Sequence, residues 1–194
     1  MASVAKSKSQ LYFHLQIFIE ENFASLLILY RRLRYGYAFR KIPLTKNCFA
    51  LIDPEDYIAL KKFKWSVIEK SGIYYAVRYL RKREIRMHRL IISAPPHLVV
   101  DHIDHNGLNN TKRNLRLCTL AQNSLNQRHR KSCSSKYKGV YFHKRDKKFY
   151  AQISHKHRSF HLGCFDKERD AAVAYDKIAR KLFKEFAYLN FPKQ

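Results

Sequence analysis

An α+β protein is expected from three patterns in the chain. Residues 98–127 read as strand, polar loop, strand, helix. Residues 139–183 read as three short strands followed by one amphipathic helix, and residues 44–77 have the texture of short hairpins. Helices and strands thus occur in separate runs rather than alternating, which argues against a doubly wound parallel sheet.

The elements come in order along the chain. Residues 11–30 (LYFHLQIFIEENFASLLILY) are apolar enough to suggest a membrane helix, but Glu20, Glu21 and Asn22 sit at mid-stretch. Each acid would cost about 2.5–3.5 kcal/mol at a bilayer centre. The segment is read as an amphipathic or buried helix within an N-terminal extension, residues 1–40, of no readable role. Residues 41–86 form a β-rich leader. Leu44 to Ile52 suggests a hairpin, and Asp53-Pro54-Glu55-Asp56 supplies an N-cap, Pro at N1 and first-turn acids for a short helix. Trp65–Ile68 and Ile73–Val77 flank a Lys70-Ser71-Gly72 turn. Arg78, Arg81, Lys82, Arg83 and Arg86 come next, either a solvated basic loop or a ribbon that tracks phosphate.

Met87–Ile92 reads as a short helix stopped before Pro95-Pro96. Leu98–Ile103 and Leu115–Cys118 are strands joined by an Asn/Gly-rich loop, and Thr119 caps a helix from Leu120 to about Gln127. Residues 128–135 are a polar, basic linker. The final segment places strands at Gly139–His143, Phe149–Ile153 and Ser159–Phe165. Asp166 is then expected to cap a helix whose stripe is Ala171, Ala174, Tyr175, Ile178, Leu182 and Phe183. Strand alternation turns Val140, Phe142, Phe149, Ala151, Ile153, Phe160 and Leu162 to this helix. Tyr141, His143, Tyr150, Gln152, Ser154, Ser159 and His161 fall on the open face.

The 194 residues carry 39 Lys+Arg against 15 Asp+Glu, a net charge of +24. The excess is +4 over residues 1–40, +10 over 41–130 and +10 over 131–194, so folded segments rather than a tail carry it. This implies a polyanionic partner, most simply nucleic acid. The aromatic share of 14% excludes a disordered basic tail. Cys48, Cys118, Cys133 and Cys164 form no C-x-x-C pair, which argues against a zinc ribbon and suits a reducing, intracellular location. No membrane and no small-molecule substrate are expected.

Hydrolysis of a phosphodiester needs a base for water, a hard cation on the phosphate and rigid placement of both. Asp101 and His102 are strand neighbours pointing to opposite faces. Asp101 with Asn123 offers the hard oxygen donors that Mg²⁺ or Mn²⁺ prefers at one site, and His102 offers a base of suitable pKa. Asn114 is placed to bond His102 or to hold the loop.

The run MHRLI…VVDHIDHNGLNNTKRNLRLCTLAQNSLNQ resembles the HNH endonucleases, specifically the phage- and intron-associated homing group with a ββα-metal core. The resemblance covers about residues 87–127, and KIPLTKNCFALIDPEDYIALKKFKWSV extends it to nearly residue 41. It implies Asp101 and Asn123 as metal ligands, His102 as general base, Asn114 as the structural Asn of the motif and His88 as support for the site. The segments KYKGVYFHKRDKKFYAQI, FHLGCFDKERDAAVAYDKIARKLF and AYLNFP resemble the APETALA2-type domain of ethylene-response factors over 136–192. On that resemblance Lys138, Tyr141, His143, Gln152, Ser154, Ser159 and His161 meet double-stranded DNA. Lys144, Arg145 and Lys148, with Lys147, Lys156 and Arg158, would supply phosphate contacts. The plant domains have mostly Arg and Trp at the reading positions, so bidentate Arg–guanine readout is lost here. The expected function is a metal-dependent, homing-type DNA endonuclease aimed by its C-terminal module. The alternative is a DNA-binding regulator with an inactive nuclease core.

Overall fold

A computed structural model describes residues 2–127, 134–156 and 158–192. They form two compact units, residues 1–118 and 119–194, of mixed helix and antiparallel sheet.

The first unit begins with α1 (Ala2–Asn22) and α2 (Ala24–Tyr35). Phe23, with φ −123° and ψ 32°, breaks the helix between them, and Gly36 closes α2 in the left-handed conformation. The extension is tied firmly to the first strands of the unit. Glu20 is 2% exposed and takes the guanidinium groups of both Arg31 and Arg40. Arg31 also donates to Phe39 O (2.8 Å), and Arg40 lies over the Tyr57 ring. Phe13 packs on Phe49, and Lys41 reaches Gln16. The mid-stretch acid that argued against a membrane span is therefore an internal ionic anchor. Among the described residues no helix is long and apolar enough to cross a membrane.

Strands β1 (Arg40–Pro43) and β2 (Phe49–Ile52) form a hairpin, and β3 (Ser66–Lys70), β4 (Ile73–Leu80) and β5 (Arg83–Arg86) form a sheet in that order. The basic stretch after Val77 is thus the outer half of a hairpin, not a loop. Ile42, Ile52, Leu60, Trp65 and Met87 pack around Ala50 and Ala76 as the core. Asp53 does not cap the segment after it. Residues 54–56 form a 3₁₀ turn leading into the single turn α3 (Tyr57–Leu60), while the Asp53 carboxylate accepts Lys112 N at 2.6 Å. Then come α4 (Met87–Ile92), β6 (Val99–His102) and β7 (Leu115–Cys118), with β6 and β7 paired antiparallel.

The second unit opens with α5 (Leu120–Leu125), capped by Thr119 as expected and with Gln122 completing a reciprocal capping box. Its sheet has the order β10–β9–β8 (Arg158–Phe165, Lys148–His155, Val140–His143) and is covered on one face by α6 (Glu168–Phe183). The residue before α6 is Lys167, without a side-chain cap bond, and Asp166 pairs with Lys148 instead. The buried stripe of α6 is Ala171, Ala172, Tyr175, Asp176, Ala179 and Phe183, so Leu182, 40% exposed, lies off it. Asp176 is buried because it accepts from Asn190 and Phe191 backbone N–H groups and from Asn190 Nδ2.

Phe160 pairs across from Ile153 but is left uncovered on the edge strand, and a bulge between His161 and Gly163 resets the alternation beyond it. Most of the expected linker, with Cys133, lies outside the described residues. Ser134 and Ser135 belong to the second unit, where Ser134 Oγ accepts Phe142 N and Ser135 bonds Glu168. Cys48, Cys118 and Cys164 are free thiols, and Cys164 is exposed.

Candidate active site and nucleic-acid interface

Strand β6 ends in Asp101 and His102, both 6% exposed. The β-pleat sends them to opposite faces. On Asp101's face the opposing residue is Arg116, whose Nε and Nη2 lie 2.9 and 2.6 Å from Asp101 Oδ2. Burial makes this a strong ionic contact rather than a surface pair.

On the other face His102 enters an aromatic cage. Its ring centroid is 4.9 Å from that of His88, edge to face, and 5.9 Å from Tyr75. Tyr75 and His88 are in turn 5.8 Å apart. Asn110 Oδ1 lies 3.4 Å from His102 Nε2. A carbonyl oxygen only accepts, so this contact selects the tautomer with its proton on Nε2 and leaves the basic lone pair on Nδ1. Burial holds the His102 pKa below the ordinary imidazole value, partly opposed by Asn110 and by Asp104 and Asp101. The same burial, with His102, Arg86 and Arg89 nearby, drives His88 down to about 3. His88 is therefore a neutral wall of the cage.

The loop 104–114 is a closed network of short polar side chains. Asp104 accepts from Asn106 N and Asn114 Nδ2 (both 2.8 Å) and from Asn109 Nδ2 (2.7 Å). Asn114 also donates to Asn109 O and takes Asp104 N on its Oδ1. Of the two roles expected for Asn114, holding the loop is the one it performs. The contact to His102 belongs to Asn110, which is completely buried. Leu51 N and O bond Leu108 O and Asn110 N, so the loop is also fixed to β2. Gly107 gives the close approach: a Cβ there would lie 2.4 Å from Tyr74 O and 2.7 Å from the Tyr75 ring. Asn110 Nδ2 and His88 Nδ1 are buried without hydrogen-bond partners among the described residues. Asn123 belongs to the second unit and is half-buried on α5, its backbone N–H donating to Thr119 O.

On the open face of β8–β10, Tyr141 stacks on Tyr150 at 5.6 Å, and His143 and His161 each lie 5.2 Å from Tyr150. Asp146 binds Tyr150 Oη and lies 3.0 Å from His143 Nδ1. Ser154 and Ser159 share a hydrogen bond at 3.0 Å, and Gln152 is half-buried between its neighbours. Lys138 stands apart from this group. Its ammonium donates to Leu125 O (2.6 Å) and Gln127 O (2.8 Å), satisfying carbonyls at the end of α5, and burial lowers its pKa to about 8. Lys144 and Arg145 are exposed, while Lys148 is half-buried on Asp166.

Sequence reasoning missed Tyr75, Gly107, Asn110 and Arg116. Arg116 alone carried a signal, since counting back across the β6–β7 ladder sets it opposite Asp101.

Two family models match the chain: HNH endonuclease over residues 93–125 and AP2 domain over residues 135–185. An uncharacterized HNH endonuclease of Acanthamoeba polyphaga mimivirus is 38% identical over 150 residues, covering 75% of this chain and 76% of that one. No solved structure matches. With Asp101, His102 and the Asn-rich loop set in one β–loop–β unit and that identity extending over three quarters of its length, the chain belongs to the HNH endonucleases and carries an AP2 domain after the nuclease motif.

Proposed function

We propose that the protein is a metal-dependent, homing-type endonuclease that hydrolyses phosphodiester bonds in double-stranded DNA and is tethered by its AP2 domain. The observation that carries this reading is the cage around His102: a buried imidazole oriented through Nε2 by Asn110, with Asp101 beside it on the ladder. His102 Nδ1 takes the proton from the attacking water, and Tyr75 and His88 keep the ring from rotating. Asn114 acts by locking the loop that carries Asn110.

The buried carboxylate of Asp101 is the kind of hard oxygen donor a divalent cation takes. Asp101 is also held by a cationic side chain, and Asn123, on the second unit, is the other ligand only by the HNH resemblance. These two would hold Mg²⁺ or Mn²⁺, which supplies Lewis-acid stabilisation of the phosphate. Arg116 neutralises Asp101 and sets the direction of its carboxylate.

In the second unit, the Tyr141–Tyr150 stack with His143 and His161 offers flat, weakly polar contact surface, while Lys144 and Arg145 offer charge to phosphate. The test is supercoiled plasmid with Mg²⁺. His102→Ala retains DNA binding in a gel shift and loses cleavage by about 10²–10⁴-fold. A fully active His102→Ala protein sinks the assignment, and binding without nicking by the unaltered chain in either Mg²⁺ or Mn²⁺ leaves the regulator reading.

A further inference from the structure

The N-terminal helices have two faces. Phe13, Gln16 and Glu20 turn to β1 and β2. The other face is apolar and open, including Leu33 at 79% exposure and Leu11 at 72%. Its seam residues are Leu11, Leu15, Phe18 and Asn22 on α1, then Leu26, Leu29 and Leu33 on α2. Spacings of four and three residues are those of a helix–helix seam. The order is also its own mirror image about Asn22. Run antiparallel against a second copy, Leu11 meets Leu33, Leu15 meets Leu29, Phe18 meets Leu26, and Asn22 meets itself. The same register sets Tyr12 across from Arg32, a favourable cation–π pair.

From this self-complementarity we infer that α1 and α2 form the interface of a two-fold homodimer, in which α1 of each copy lies along α2 of the other. The break at Phe23 then sits beside the axis, between two equivalent half-seams. Area supports a second copy as the occupant. With Tyr12 and Tyr30, these large side chains are each at least half exposed, leaving on the order of 100 Å² open apiece and on the order of 800 Å² over the stripe. That exceeds the roughly 300–600 Å² of the largest patch on an ordinary monomer and equals one partner's share of a standard specific interface. Asn22 is the one polar seam residue, the device by which a helix pair fixes its register. The dimer stands independently of the nuclease reading; only its consequence, a second active site for the second strand, rests on it.

Sedimentation velocity of the full chain at micromolar concentration, without DNA and at high salt, tests the interface. A dimer is expected. Leu15→Glu with Leu29→Glu, at exposed positions, should raise its dissociation constant about 100-fold or more while far-UV circular dichroism stays unchanged and melting loses its dependence on protein concentration. Asn22→Cys should cross-link to residue 22 of the second copy under a mild copper–phenanthroline oxidant, mapped by mass spectrometry. The inference is overturned by a monomer, by a dimer that survives the double substitution, or by absence of the residue 22 cross-link. A monomer that instead pellets with anionic phospholipid vesicles would assign the face to a membrane surface and overturn it equally.

Discussion

Replacing Glu20 by Gln removes one charge and almost no volume, which isolates the ionic part of the anchor between the N-terminal helices and β1. The side chains of Glu20, Arg31 and Arg40 are 3, 7 and 9% exposed, so solvent cannot screen what remains. Were these groups on the surface, the expected loss would be about 0–1 kcal/mol. Breaking a buried pair costs about 3–5 kcal/mol because the surviving charge stays desolvated, and here two guanidinium groups survive. For a unit of this size that corresponds to a fall in Tm of about 10–20 °C. The chain has one tryptophan, Trp65, which is buried in the same unit, so its fluorescence reports this unit's unfolding. The shift should hardly change with added salt. A loss under about 1 kcal/mol would mean that Arg31 and Arg40 are satisfied without Glu20, refuting the anchor.

Three further outcomes bear on the active site. Gly107→Ala places a methyl against Tyr74 O and the Tyr75 ring, so the Tyr75 wall must move; plasmid cleavage should fall at least about tenfold with DNA affinity retained. Arg116→Met removes a buried cation from Asp101, and thermal stability in chelator should drop by about 3 kcal/mol, with Mn²⁺ restoring more of it than it adds to the unaltered protein. His88, whose pKa is pushed down to about 3 by burial, refuses a proton that the unfolded chain binds below about pH 6.5. The stability this confers is complete above the unfolded value and lost as pH falls toward 3. His88→Phe should therefore flatten stability against pH there by up to about 1.4 kcal/mol per pH unit, read from urea titrations.

What the sequence displayed of the site was its local part. The strand–loop–strand–helix order, the Thr119 cap and the loop role of Asn114 depend on residues a few positions apart, where spacing and side-chain chemistry suffice. Tyr75 reaches His102 from another sheet, and Asn110 reaches it by the folding of a loop that Asp104 closes. Neither path leaves a periodic trace. The AP2 alternation failed at Phe160, which keeps its register with Ile153 but lies uncovered on the edge strand, whereas Leu162, at the bulge, packs on the helix side as the alternation implies. Lys138 shows another limit. Alternation gives a face but says nothing of the nearby helix end whose carbonyls need donors.

Some of the positive charge is already paired within the first unit: Arg31 and Arg40 with Glu20 and Arg116 with Asp101 in buried contacts, and Lys112 with Glu55 and Asp56 at the surface. A different set stands at turns in the left-handed region, where a Cβ is unfavourable. Among the described non-glycine residues with positive φ are Lys46, Arg81, Lys82, Lys147, Lys156 and Lys184. Arg81 and Lys82, at φ 46° and 66°, are the two-residue turn between β4 and β5, a geometry that Asn-Gly fits best. Cationic side chains there oppose local backbone preference, which makes sense if the hairpin tip meets phosphate. Replacing Arg81-Lys82 by Asn-Gly should then raise stability by about 1 kcal/mol and weaken DNA binding, lowering the slope of log affinity against log salt by about two. Greater stability with an unchanged salt slope would show that the tip faces solvent and that the strained cations serve no contact with DNA.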